Sequence, residues 1–171
     1  MGLERAGLVG YLGHDTELFA DTIRNNILLG DNSDVDGLLR DVCFDDEVAD
    51  MENGADTMVG TGGVRLSGGQ AQRLALARTI CHKKPIMVLD DPFSALDKNT
   101  EKQVYDNLRR LSGETIVFLI SHRLYMFPEM DKVIWLENGR AEIGTHAELV
   151  SRVPEYARLY HDQEGGIADE A

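Results

Sequence analysis

The sequence holds little that would tie it to a membrane, an oxidising compartment or a nucleic acid. No apolar run nears the ~20 residues of a spanning helix, and the first twenty residues lack the apolar core of a secretion signal. Any membrane connection is therefore expected to go through a partner. Two cysteines, Cys43 and Cys81, stand alone without CxxC spacing or metal-like neighbours, so reduced thiols in the cytosol are the plain expectation. Lys and Arg number 17 against 30 Asp and Glu, a formal charge of −13. That balance argues against nucleic-acid binding, which needs clustered cations to meet phosphates. No internal repeat is present, and no Gly-Lys dipeptide occurs anywhere. The second absence excludes the GxxxxGK[ST] loop, whose backbone amides and lysine embrace β- and γ-phosphates. What remains is 171 residues, 43% of them hydrophobic, enough for one globular domain or most of one.

The character of the chain changes near residue 85. LVGYL (8–12) suits a short strand, and from Asp21 to about Met51 the pattern is helical, broken by Gly30 and acidic turns. A glycine-rich loop then leads into an Ala- and Leu-rich helix expected over about 70–82. PIMVL (85–89), TIVFLI (115–120) and KVIWL (132–136) are near-continuous apolar runs, as expected of strands covered on both faces in a parallel sheet. Between the first two, Val104, Leu108 and Leu111 recur at helical spacing, giving a strand, helix, strand unit. Asn138-Gly139 signals a hairpin, Thr145 and Glu148 a capping box, and Pro154 the first turn of a further helix. The acidic, glycine-bearing stretch 164–171 is expected to be disordered.

Four places could carry chemistry. In RLSGGQAQRLALARTI (65–80), Ser67, Gly68 and Gly69 stand where a helix begins, so unpartnered N–H groups and a hydroxyl could converge on an anion. Asp90-Asp91 closes an apolar strand, at the sheet edge where α/β ligands bind and where a carboxylate can hold Mg²⁺ through water. His122 follows the TIVFLI strand and could reach a phosphate at the same edge, and His14 follows the first strand. Taken alone, each has a plainer reading: a Ser-capped helix, an Asp-Asp-Pro turn, a structural histidine and a surface histidine.

Their order distinguishes these readings. LSGGQ at 66–70, an apolar strand ending in Asp90, SALD at 94–97 and His122 after the next strand closely resemble the ATP-binding cassette (ABC) ATPase family. The resemblance implies that Leu66, Ser67, Gly68, Gly69 and Gln70 are the signature motif, Asp90 the Walker B aspartate and Asp91 the general-base position. It likewise makes Ser94, Ala95, Leu96 and Asp97 the D-loop, His122 the switch histidine and His14 the Q-loop position. The flanks GYLGHDTELFADTIRNNILLG and LENGRAEIGTHAEL look like nucleotide-binding domains of exporters, and the likeness covers about residues 8–162. The implied fold is α/β, a partial P-loop NTPase (ABC ATPase) fold with a mostly parallel sheet core and a helical subdomain. Its implied parts are the Q-loop strand and loop of the ATP-binding core (1–19), a helical subdomain ending in the signature helix (20–82) and the later part of the core (83–163).

The sequence departs from the family in two respects. Without a Walker A motif, it resembles the C-terminal two-thirds of the domain, starting just before the Q-loop. The family also has glutamate after the Walker B aspartate and glutamine in the Q-loop, where this chain has Asp91 and His14. One methylene fewer sets the Asp91 carboxylate on the order of 1.5 Å back from the attacking water, and displacements of that size cost about 10²-fold. The resemblance implies head-to-tail dimers, in which each signature closes on ATP held by the other domain's Walker A. The expectation is therefore a domain of an asymmetric exporter pair, with a weak site of its own and a signature that serves its partner's. ATP and Mg²⁺ are the implied cofactors of the intact assembly. The implied partners are exporter transmembrane domains and a second nucleotide-binding domain, on the cytoplasmic side of the membrane. The chain alone is expected to be soluble, inactive as an ATPase and self-associating through uncovered sheet edges. The alternative is a nonenzymatic interaction module lending its LSGGQ face to a partner ABC domain.

Overall fold

The computed structural model describes residues 7–168. They fall into two compact units, one ending at Ile120 and the other starting at Ser121.

The first unit is built on a three-stranded parallel sheet in the order β1 (Val9–Leu12), β2 (Ile86–Asp90), β3 (Ile116–Ile120). Val9 stands opposite Ile86, which stands opposite Ile116; Tyr11, Val88 and Phe118 form the next row along the same face. Three short helices, α1 (Ile23–Leu28), α2 (Val35–Asp41) and α3 (Asp45–Ala49), form the helical layer expected between residues 21 and 51. The long helix α4 (Gly68–Cys81) packs on α1, α2 and β1. Six consecutive residues, Gln72 to Ala77, are buried, so the middle of α4 has no solvent face and shows little amphipathic pattern. α5 (Lys98–Ser112) connects β2 to β3 and buries Val104, Tyr105 and Leu108 along one stripe.

Among the described residues of this unit, one sheet face is packed and the other is exposed. Met87 and Leu89 of β2 are buried, whereas Val9, Tyr11, Ile116, Phe118 and Ile120 lie 43–63% exposed. A parallel sheet is normally covered on both sides.

The second unit holds a two-stranded antiparallel sheet, β4 (Val133–Glu137) with β5 (Arg140–Gly144), followed by α6 (His146–Arg152) and α7 (Pro154–Ala168). The KVIWL run is thus a strand, but the expectation that it joins a parallel sheet is corrected: among the described residues it pairs with β5 alone, antiparallel. The reason is local. Asn138 and Gly139 both take positive φ, +49° and +74°, which closes a tight hairpin and gives β4 its neighbour immediately. Thr145 and Glu148 cap α6 reciprocally, and Pro154 opens α7. Leu124, Val133, Leu149, Val153 and Tyr156 make the core of this unit. Helix α7 runs through Ala168 and so takes in the first residues of the stretch expected to be disordered; residues 169–171 lie outside the described ones.

Candidate functional site

The start of α4 is fixed from three sides. Ser67 is the N-cap: its Oγ accepts from the Gln70 N–H at 3.2 Å, and Gln70 Oε1 accepts from the Ser67 N–H at 2.8 Å. This capping box leaves the serine O–H and the first helical N–H groups, those of Gly68 and Gly69, without intrahelical acceptors. Gln70 Nε2 donates to Glu47 at 2.7 Å, and the same carboxylate pairs with Arg73. Arg73 also donates to the carbonyls of Cys43 and Gly69 and lies over the Phe44 ring. A glutamate from the helical layer and an arginine one turn into α4 therefore hold the glycine turn in place.

Ser67, Gly68 and Gly69 line an open hollow of about 410 Å³, together with Ala95, Leu96, Asp97 and Thr100. The signature turn and the SALD loop, which the sequence places about twenty-five residues apart, thus share one surface. Asp97 caps α5, accepting from the N–H groups of Asn99 and Thr100 at 3.0 Å and from the Thr100 hydroxyl. The Thr100 hydroxyl, then the neighbouring backbone N–H groups, hold its carboxyl below the usual carboxylate range. Glu47 and Asp97 set anionic charge at the rim of the hollow. The donors facing them are the α4 N-terminus and Arg73, whose side chain is 10% exposed.

The carboxylate pair lies at the end of β2. Asp90 Oδ2 accepts from the Tyr11 hydroxyl at 3.2 Å, and that bond, with burial and the carboxylate's charge, pushes the Tyr11 phenol up. The chain then turns sharply. Asp91 adopts φ +49°, in the left-handed region that aspartate tolerates better than most residues, and its N–H donates to the Ile120 carbonyl at 2.8 Å. His14 lies exposed in the bend after β1. His122 lies in the second unit, also exposed, and its carbonyl accepts from Gln163 Nε2 at 2.8 Å.

Three residues of this region escape a motif reading: Tyr11 on Asp90, Glu47 beneath the signature turn, and Gln72, whose side-chain amide bonds to the loop from Asp91 to Ala95. Their signal in the sequence is faint. Gln72 and Arg73 are polar residues inside an otherwise Ala- and Leu-rich helix, and a polar group kept in such a helix requires a partner.

A parallel α/β sheet ending in paired carboxylates, with a capped glycine turn beside the loop that follows them, is the layout of α/β folds that bind ligands at the carboxyl ends of their strands. The ABC transporter family pattern matches residues 4–94. Over 160 residues the chain is 38% identical to an ATP-binding/permease protein of Staphylococcus aureus whose provisional name is multidrug export, covering 91% of this chain and 28% of that protein. The corresponding protein of a second S. aureus strain gives the same identity and coverage. A solved bacterial Atm1-family ABC exporter with ATP bound matches with TM-score 0.85 at 35% identity, covering 94% of this chain and 29% of the exporter chain. The chain belongs to the ABC transporter family. It spans less than a third of the length of these relatives. No helix among the described residues is long and apolar enough to cross a membrane.

Proposed function

We propose that the chain is the signature-bearing part of an ATP-hydrolysing exporter domain and that it acts on ATP held by the Walker A motif of a second nucleotide-binding domain. The start of α4 supports this reading most. Ser67, Gly68 and Gly69 line an open hollow, while Glu47 and Arg73 hold the turn from behind. A phosphate there would meet backbone N–H groups, a hydroxyl donor and the positive end of a long helix.

ATP with Mg²⁺ supplies a γ-phosphoryl group whose transfer to water needs little beyond positioning and charge stabilisation. The Ser67 hydroxyl and the Gly68 and Gly69 amides would donate to phosphate oxygens of that ATP, with Leu66 and Gln70 framing the turn. Asp90 is a hard oxygen donor that would suit Mg²⁺ through water, with Tyr11 hydrogen-bonded to its Oδ2. Asp91 orients water weakly, for want of a methylene. His122 takes the switch-histidine place, His14 the Q-loop place, and Ser94 to Asp97 that of the D-loop. The partners are exporter transmembrane domains and a second nucleotide-binding domain, on the cytoplasmic face of the membrane.

The chain alone should hydrolyse ATP at background, since it has no Gly-Lys loop to cradle the phosphates. Mg²⁺-dependent turnover by the purified chain, abolished by Asp90→Asn, would overturn that expectation. Mixing the chain with a Walker A-bearing ABC domain tests the lending role. Stimulated ATPase activity that disappears with Ser67→Arg supports it, and no stimulation by the wild-type chain refutes it.

A further inference from the structure

The side-chain amide of Gln72 bridges two parts of the chain that the proposed function uses for different sites. Gln72 is 5% exposed. Its Nε2 donates to the Asp91 carbonyl and to Ser94 Oγ, both at 3.0 Å, and its Oε1 accepts from the Ala95 N–H at 3.0 Å. Both amide hydrogens and the carbonyl oxygen are thus spent on one loop. That loop begins at Asp91, in its left-handed conformation, and the Ser94 N–H donates back to the Asp91 carbonyl at 3.2 Å. From the other side, the Gly69 backbone lies against Ala95 so closely that a Cβ would come within 2.8 Å of the Ala95 oxygen. The signature helix and the Asp91–Ala95 loop are therefore joined by three hydrogen bonds and a backbone contact.

We propose that Gln72 is a positioning residue that locks the Asp91–Ala95 loop to the signature helix, so that the signature turn and Asp91 respond as one body to whatever docks on either. The inference rests on the proposed function for its meaning: one polar side chain would link the signature, offered to a partner's ATP, with the chain's own carboxylate end. Neither Ser67 nor Asp91 could be displaced without the other. Buried, fully satisfied amides transmit displacement well because each alternative arrangement leaves a polar group unpaired.

Hydrogen exchange followed by NMR on the full chain tests this, with Gln72→Met, the milder Gln72→Asn, and Val104→Ala as a core control in α5. Without the bridge, the Ala95 amide should exchange about tenfold faster, the weight of one neutral hydrogen bond, while Leu76 and Ala77 within α4 keep their rates. Val104→Ala should accelerate both groups together. Equal acceleration of Ala95 and α4 in both Gln72 variants, or the selective pattern in the Val104 control, would overturn the lock. A second arm adds a Walker A-bearing ABC domain loaded with ATP and Mg²⁺. Wild-type chain should gain protection at Gly69 and Ala95, whereas Gln72→Met should gain it at Gly69 alone. Protection of Ala95 in Gln72→Met equal to wild type would refute the coupling. Absence of protection at Gly69 in the wild type would refute the lending role instead, and the first arm would still decide the lock.

Discussion

Gly69 lies against Ala95 with no room for a side chain: a Cβ on Gly69 would stand 2.8 Å from the Ala95 carbonyl oxygen, whereas one on Gly68 would meet only the Ala95 methyl at 3.7 Å. The two signature glycines should therefore respond differently to alanine. Gly69→Ala should destabilise by about 1–3 kcal/mol through overpacking, partly offset by helix propensity of up to ~1 kcal/mol. Gly68→Ala should be neutral or slightly stabilising. Thermal melts of the two variants decide this, and equal shifts would contradict the packing.

Asn26 is fully buried and holds the segment after β1 onto the helical layer. Its Oδ1 accepts from the Phe19 N–H at 2.9 Å and from Arg78 Nη2 at 2.8 Å, while Nδ2 donates to the Phe19 and Thr22 carbonyls at 3.0 Å. Replacement by alanine leaves several buried groups unpaired at once and should cost about 2–4 kcal/mol. The urea midpoint reads this, and a shift no larger than that of an exposed control would refute it.

The bond between Tyr11 and Asp90 can be followed from the tyrosine. Asp90 raises the Tyr11 phenol chiefly by accepting its hydrogen bond, then by charge. In Asp90→Asn the carboxylate is gone, so Tyr11 should titrate at lower pH than in the wild type, by phenolate absorbance or NMR. An unmoved titration would place Asp90 away from the hydroxyl.

Tyr156 sets an alkaline limit for the second unit. Its hydroxyl shares a 2.7 Å hydrogen bond with His146 Nδ1, and its ring meets Trp135 edge to face. Burial, with Tyr160 nearby, pushes the phenol up to about 12. A free phenol titrates near 10, so above that pH the unfolded chain loses a proton that the folded unit keeps. The associated stability is whole below pH ~10 and falls by about 2 kcal/mol as the pH rises towards 12. Tyr156→Phe should flatten that fall. A wild-type melting temperature steady over this range would count against it.

The bare sheet face predicts association. Val9, Ile116, Tyr11 and Phe118 present apolar surface in two aligned rows. The purified chain should run as a dimer or larger species in light scattering, and Phe118→Lys should shift it towards monomer. A monodisperse wild-type monomer would refute this.

Features set by neighbours in the chain were legible in the sequence. The Thr145 and Glu148 box, the Asn138-Gly139 turn, the Ser67 cap and the stripe of α5 all depend on residues a few positions apart. Partnerships closed by tertiary folding were not. The KVIWL run carries no mark saying whether it lies beside a parallel neighbour or its own hairpin return, because an apolar strand suits both. Tyr11 and Asp90 are joined only once β1 and β2 are in register, and Gln72 finds its loop only when α4 packs beside the end of β2. The hollow beside the signature turn is lined by residues of two motifs, but Glu47 and Gln72, which bond to those motifs, belong to neither.

The register of the parallel sheet also constrains the order of assembly. β2 and β3 are separated by α5 alone, a compact crossover that can close early. Val9, by contrast, must find Ile86 across the whole helical layer and α4. Closing so long a loop costs more entropy and comes later, and among the described residues β1 has β2 as its one hydrogen-bonded neighbour. Of the three strands of this sheet, β1 is therefore the last to be seated. Until it is seated, Tyr11 is absent from Asp90, and the carboxylate end of the sheet remains unfinished after the signature helix has formed.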